Sequence, residues 1–102
     1  MNLEAFKAET AEAAPPDGLP LALVALWWMK KGDWEKAHAA AQSDSSKDGA
    51  WVHAHLHRVE GDLGNAAYWY NQAARDRCTD PLDEEWDRIA AALLASVPST
   101  VS

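Results

Sequence analysis

One short turn occurs twice in this chain and dictates more of the fold than any other feature. Gly32-Asp33-Trp34 and Gly61-Asp62-Leu63 stand 29 residues apart, and in each case an alanine, Ala37 or Ala66, follows three residues after the apolar member. Glycine readily takes the left-handed conformation that closes a helix. Aspartate caps the helix that follows by accepting from its free backbone N–H groups. The large apolar residue then fills the base of the hairpin, and the alanine lets the two helices touch. A chain that uses this device twice is read as packed helix hairpins.

Helical periodicity elsewhere brings the expected total to six helices. The first runs from about Asn2 to Ala14, with Asn2 as N-cap, and is ended by Pro15-Pro16. A second starts at Asp17 or Gly18, tolerates Pro20 in its first turn, and is apolar all round from Leu21 to Met29, the pattern of a central, covered helix. The third spans Trp34 to Gln42. Ser43 to Gly49 reads as a polar connection and the most mobile internal segment. The fourth spans Ala50 to Glu60, and the fifth, capped by Asp62, carries Leu63, Ala66, Ala67, Tyr70 and Ala73 on one stripe. Asp80 as N-cap, Pro81 at the first helical position and Asp83-Glu84-Glu85 in the first turn open the sixth. Its stripe is Leu82, Trp86, Ile89, Ala90, Leu93, Leu94 and Val97, and it stops before Pro98. Residues 1–98 form a single domain on this reading, and 99–102 a frayed tail.

The repeated turn resembles that of the tetratricopeptide repeat, in which Gly-Asp-aromatic joins two antiparallel helices. Val24, Ala25 and Trp28 stand where the family places a leucine, a small residue and an aromatic on its first helix, and Trp34 and Ala37 match the second. In the other hairpin Ala54, Leu63, Ala66, Tyr70 and Ala73 follow the pattern. The resemblance covers Leu19 to Arg75. The offset is shorter than the family's period of about 34 residues, and only two units are visible against the three or so that usually close a core. His53 and His57 occupy places where leucine and an aromatic are usual. The resemblance implies an all-α, right-handed array of antiparallel hairpins with the first and last helices as caps. It also implies a module that binds a protein or peptide, or a second copy of itself, in a concave groove. Trp51, His55 and Arg58 would line that groove, with Leu26, Met29 and Lys30 on the neighbouring helix. The same groove is equally open to filling by the last helix.

Charge narrows the partners. Sixteen acidic against nine basic side chains give a net charge of −7, which disfavours phosphate backbones and anionic lipid surfaces. Nucleic acid and membrane are therefore not expected partners. The longest apolar stretch, Leu19 to Met29, is too short to span a bilayer. A lone cysteine, Cys78, rules out an internal disulfide and suits the cytoplasm.

The residues that carry chemistry are few. His53, His57 and Glu60 share one helix face, a spacing that brings two imidazoles and a carboxylate toward one divalent metal, with His38 as the only evident further ligand. This gives the alternative reading, a small metal-binding protein. The competing account has the two imidazoles hydrogen-bonded at the edge of the core. Cys78 beside Arg77 has no assignable base, and the acidic run at 83–85 reads as helix-start electrostatics. The chain is expected to be non-catalytic and to need no cofactor.

Overall fold

A computed structural model describes residues 1–97. The expected stop at Pro98 and the tail at 99–102 lie outside them. Six α-helices make up the described chain, with no strand among the described residues: α1 Leu3–Glu9, α2 Leu21–Lys30, α3 Trp34–Gln42, α4 Lys47–Val59, α5 Leu63–Gln72 and α6 Leu82–Ser96. No described helix is long and apolar enough to cross a membrane.

The two repeated turns have the same anatomy. Gly32 and Gly61 sit at φ +85° and +84°. At the first turn the Gly32 and Asp33 N–H groups donate to the Met29 and Trp28 carbonyls, and at the second Gly61 and Asp62 donate to Arg58 and His57. These are paired Schellman bonds that satisfy the last free carbonyls of α2 and α4. Each aspartate then accepts from a backbone N–H one turn on, Asp33 from Lys36 at 3.0 Å and Asp62 from Asn65 at 3.1 Å. Ala37 and Ala66 are buried as expected. The hairpin bases differ. The Trp34 indole donates to the Leu56 carbonyl at 2.8 Å, whereas Leu63 is 66% exposed and plugs nothing.

The end of α5 repeats the device without glycine. Ala74 lies at φ +57°, and Ala74 and Arg75 donate to Asn71 and Tyr70 in the same paired pattern.

Helix ends elsewhere correct the sequence reading. α1 stops at Glu9 and passes into single i→i+3 bonds to Glu12, where side chains from the end of α2 and the residue after it take carbonyls. The Trp27 indole donates to Glu9 and the Lys31 ammonium to Glu12. α2 begins only at Leu21, since Gly18 is left-handed (φ +85°) and Pro20 occupies the cap position. The connection expected at Ser43 to Gly49 is shorter than that. α4 starts at Lys47, capped by Ser46, and Gly49 lies buried in its first turn. A Cβ at Gly49 would meet the Asp44 carbonyl at 2.4 Å, so only glycine permits this crossing. Asp80 does not cap α6; Pro81 holds that position, and the Asp80 carboxylate pairs with Arg88 at 2.5 Å.

α4 is the hub, packed against α2, α3, α5 and α6, with every residue from Gly49 to His57 buried. Phe6 of α1 stacks on Trp86 of α6 with ring centroids 5.7 Å apart, and the Trp86 indole donates to the Leu26 carbonyl of α2. The Lys7–Asp87 ion pair clamps the same corner at 3.0 Å.

A left-handed backbone costs a residue with a Cβ roughly 1–2 kcal/mol, a cost glycine escapes. Ala74→Gly is therefore expected to stabilise the protein by about 1 kcal/mol and Gly32→Ala to destabilise it by a similar amount. Urea midpoints of the two variants, moving in opposite directions, check this.

Candidate functional site

The groove anticipated on α4 is filled by α6. Trp51, His55 and Leu26 are buried, and Met29 is half-buried. Arg58 is tied down, and the exposed Lys30 ammonium lies over the Trp86 ring, 4.9 Å from its centroid. Arg75, from the α5–α6 connection, covers Trp51 at 3.7 Å. Of these six residues only Lys30 is exposed, and Trp51, His55 and Leu26 are shut into the core.

What closes the groove is a buried carboxylate. Glu85 is 1% exposed and accepts from His55 Nδ1–H at 2.7 Å, from Arg58 Nη1–H at 2.7 Å and from the Tyr70 hydroxyl. Arg58 Nη2 donates onward to the Asp80 carbonyl at 2.6 Å. Burial pushes the Glu85 carboxyl up, but the hydrogen bonds from His55, Tyr70 and Arg58 outweigh it and hold its pKa at about 2. Burial and the bond to Glu85 both raise the Tyr70 phenol above its ordinary range. The sequence reading placed Glu85 among the solvated acids of a helix start. A sharper signal was present: Glu85 lies three residues after Leu82 and four before Ile89, on the apolar stripe itself.

The opposite side of α4 carries a second polar group. The imidazoles of His38 on α3 and of His53 and His57 on α4 converge, with one ring nitrogen from each mutually within 4.8 Å. His38 Nε2 and His53 Nε2 are 2.9 Å apart. The His53 and His57 rings stack with centroids 4.9 Å apart, and His38 meets both edge-on. Trp34 lies flat on His38 and Trp69 flat on His53, at 4.7 and 3.9 Å, so indoles close the cluster on two sides.

His53 and His57 thus come together as the i,i+4 spacing anticipates, but their third partner is His38 and not Glu60. Glu60 stands behind the cluster and accepts from His57 Nδ1–H at 2.5 Å, which leaves Nε2 as the nitrogen free for another contact. A separate grouping of His57, Glu60 and Asp62 lies at the exposed end of α4. There the Asp62 carboxylate is already engaged by the Asn65 backbone and side-chain amides.

Burial lowers the His53 pKa most, repulsion from His38 and His57 adds to it, and the result is about 4. Burial, followed by repulsion from His57, also lowers His38, against a smaller opposite pull from Glu60. At neutral pH both rings are uncharged and offer a lone pair. Only one proton fits between two Nε2 atoms at 2.9 Å, so the pair makes a single hydrogen bond. His53 Nδ1 is buried with no hydrogen-bond partner among the described residues.

No protein-family model, curated protein or solved structure matches this chain. The reading of the site rests on its own geometry.

Removing one member of a buried charged network leaves the other unpaired, so Glu85→Ala is expected to cost about 3–5 kcal/mol and Glu85→Gln less. The pH dependence follows from the depressed pKa. Unfolded, the carboxyl binds a proton near 4.5; folded, near 2. Its contribution is complete above 4.5 and is lost as the pH falls toward 2. Urea midpoints of the wild type should drop across that window, and Glu85→Gln should flatten the drop.

Proposed function

We propose that this chain is a small helical metal-binding protein in which His38, His53 and His57 hold one borderline divalent ion such as zinc, nickel or copper. The observation that carries the reading is the convergence of three imidazole nitrogens from two adjacent helices within 4.8 Å. Zn–N bonds of about 2.0–2.1 Å at tetrahedral angles place ligand nitrogens about 3.3 Å apart, a spacing the rings would have to close to on binding. The chemistry of the donors agrees. Neutral imidazole suits these ions. The Glu60 carboxylate on His57 Nδ1 is the partner that orients a ligating histidine and raises its basicity.

The energetics of the metal-free cluster point the same way. Three imidazoles pressed together yield one hydrogen bond among them and leave His53 Nδ1 orphaned, a cost of about 1–3 kcal/mol that packing alone does not require. An ion would replace that single shared hydrogen bond with a bond to each of the facing nitrogens.

The frame that presents these residues we read as tetratricopeptide-like, on the strength of the twice-used turn and its contact alanines. The role is one of binding, not turnover, and we place it in the cytoplasm because the lone cysteine is free. The protein- or peptide-binding reading has less support, since α6 and Glu85 occupy the groove assigned to it.

The test uses the full chain purified without a polyhistidine tag. Zinc titration should saturate at one ion per chain and raise stability by about 2.7 kcal/mol at a free concentration one hundred times the Kd. Glu60→Gln should weaken zinc binding about ten- to a hundredfold, and His38→Ala more. Absence of saturable binding, or equal affinity in His38→Ala, would overturn the reading.

A further inference from the structure

The chain has four arginines, Arg58, Arg75, Arg77 and Arg88, and all of them border one region away from the histidine cluster. Two cavities adjoin there and share Cys78. In one, of about 390 Å³, the carboxylates of Asp76 and Glu85 stand in the lining beside Arg75 and Arg88, and Arg88 pairs with Asp80. The other, of about 430 Å³, is lined by Arg58, Arg77 and Thr79, by Tyr70, whose hydroxyl is held by Glu85, and by an apolar wall of Leu63 and Ala66, with no carboxylate in its lining. That volume is in the range of small-molecule sites.

The two guanidinium groups of this second cavity differ. Arg58 is fixed in place by Glu85 and the Asp80 carbonyl and uses only two of its five N–H donors there. Ordering it again on binding costs little. Arg77 makes no ion pair among the described residues and is exposed. Glu85 offsets the charge of Arg58, so the cavity carries one uncompensated positive charge within a chain of net charge −7. Leu63, 66% exposed at its edge, is apolar surface awaiting cover.

We propose that this cavity binds a small organic monocarboxylate with an apolar body. The carboxylate accepts from Arg58, Arg77 and Thr79, and the body lies against Leu63 and Ala66. A monoanion matches the single free charge, whereas a phosphate dianion would bring excess negative charge beside Glu85. The proposal shares no residue with the metal site and stands or falls separately from it.

The test is a nitrogen-15 NMR titration of the full chain with hexanoate, hexylammonium and inorganic phosphate. Hexanoate should shift the side-chain Nε–H signals of Arg58 and Arg77 and the backbone amides of Leu63 and Thr79 along one saturating curve, and hexylammonium should not. Arg77→Ala, a change at an exposed position, should weaken hexanoate about tenfold, in line with a lost charge-assisted hydrogen bond. An equal response to hexylammonium, no saturating shift, unchanged affinity in Arg77→Ala, or tighter binding of phosphate than of hexanoate would each overturn the proposal.

Discussion

A helix enclosed on all sides must hand every polar side chain it carries to a neighbour, and α4 is such a helix. From Gly49 to His57 every residue is buried, yet three of them are histidines. A buried polar group without a partner costs about as much as a typical destabilising mutation. The way each imidazole is satisfied therefore decides how the surrounding helices are arranged.

Three solutions are visible. His55 donates to Glu85 and so draws the first turn of α6 onto α4, with Arg58 and Tyr70 completing the shell. His57 donates to Glu60 one turn along its own helix, a local pair that asks nothing of the rest of the fold. His53 finds only the facing nitrogen of His38. The first two arrangements are complete as they stand. The third is incomplete, and the proposed ion is what makes sense of it: the same burial that keeps these rings neutral also keeps their lone pairs free for coordination.

Much of the architecture was legible in the sequence because it is written in local chemistry. Gly32 and Gly61 mark two helix ends, Asp33 and Asp62 mark two starts, and the α3 boundaries follow from them directly. Boundaries were misjudged where tertiary contacts enter: α1 stops at Glu9, where Trp27 and Lys31 take carbonyls, and the polar run before Gly49 is drawn into α4 by a crossing that only glycine allows. At the sites, the i,i+4 pair His53 and His57 was readable from spacing alone. For His38 only candidacy as a further ligand, and for Glu85 only its place on the apolar stripe, could be read, since the partners of each depend on which helix lies opposite. The side of His57 that Glu60 takes was equally beyond the spacing: its carboxylate is one turn away in sequence and binds Nδ1 in space.

The claim at the centre of this account is that His38, His53 and His57 form one ligand set while His55 belongs to the core. Imidazole nitrogen NMR of the full chain, recorded with and without one equivalent of zinc, tests it most directly. The account predicts that one nitrogen of each of the three clustered rings, Nε2 in the case of His57, moves to the shift of a metal-bound nitrogen. The His55 resonances should stay where they are. Zinc-induced shifts at His55, or at fewer than three of the clustered rings, would contradict it.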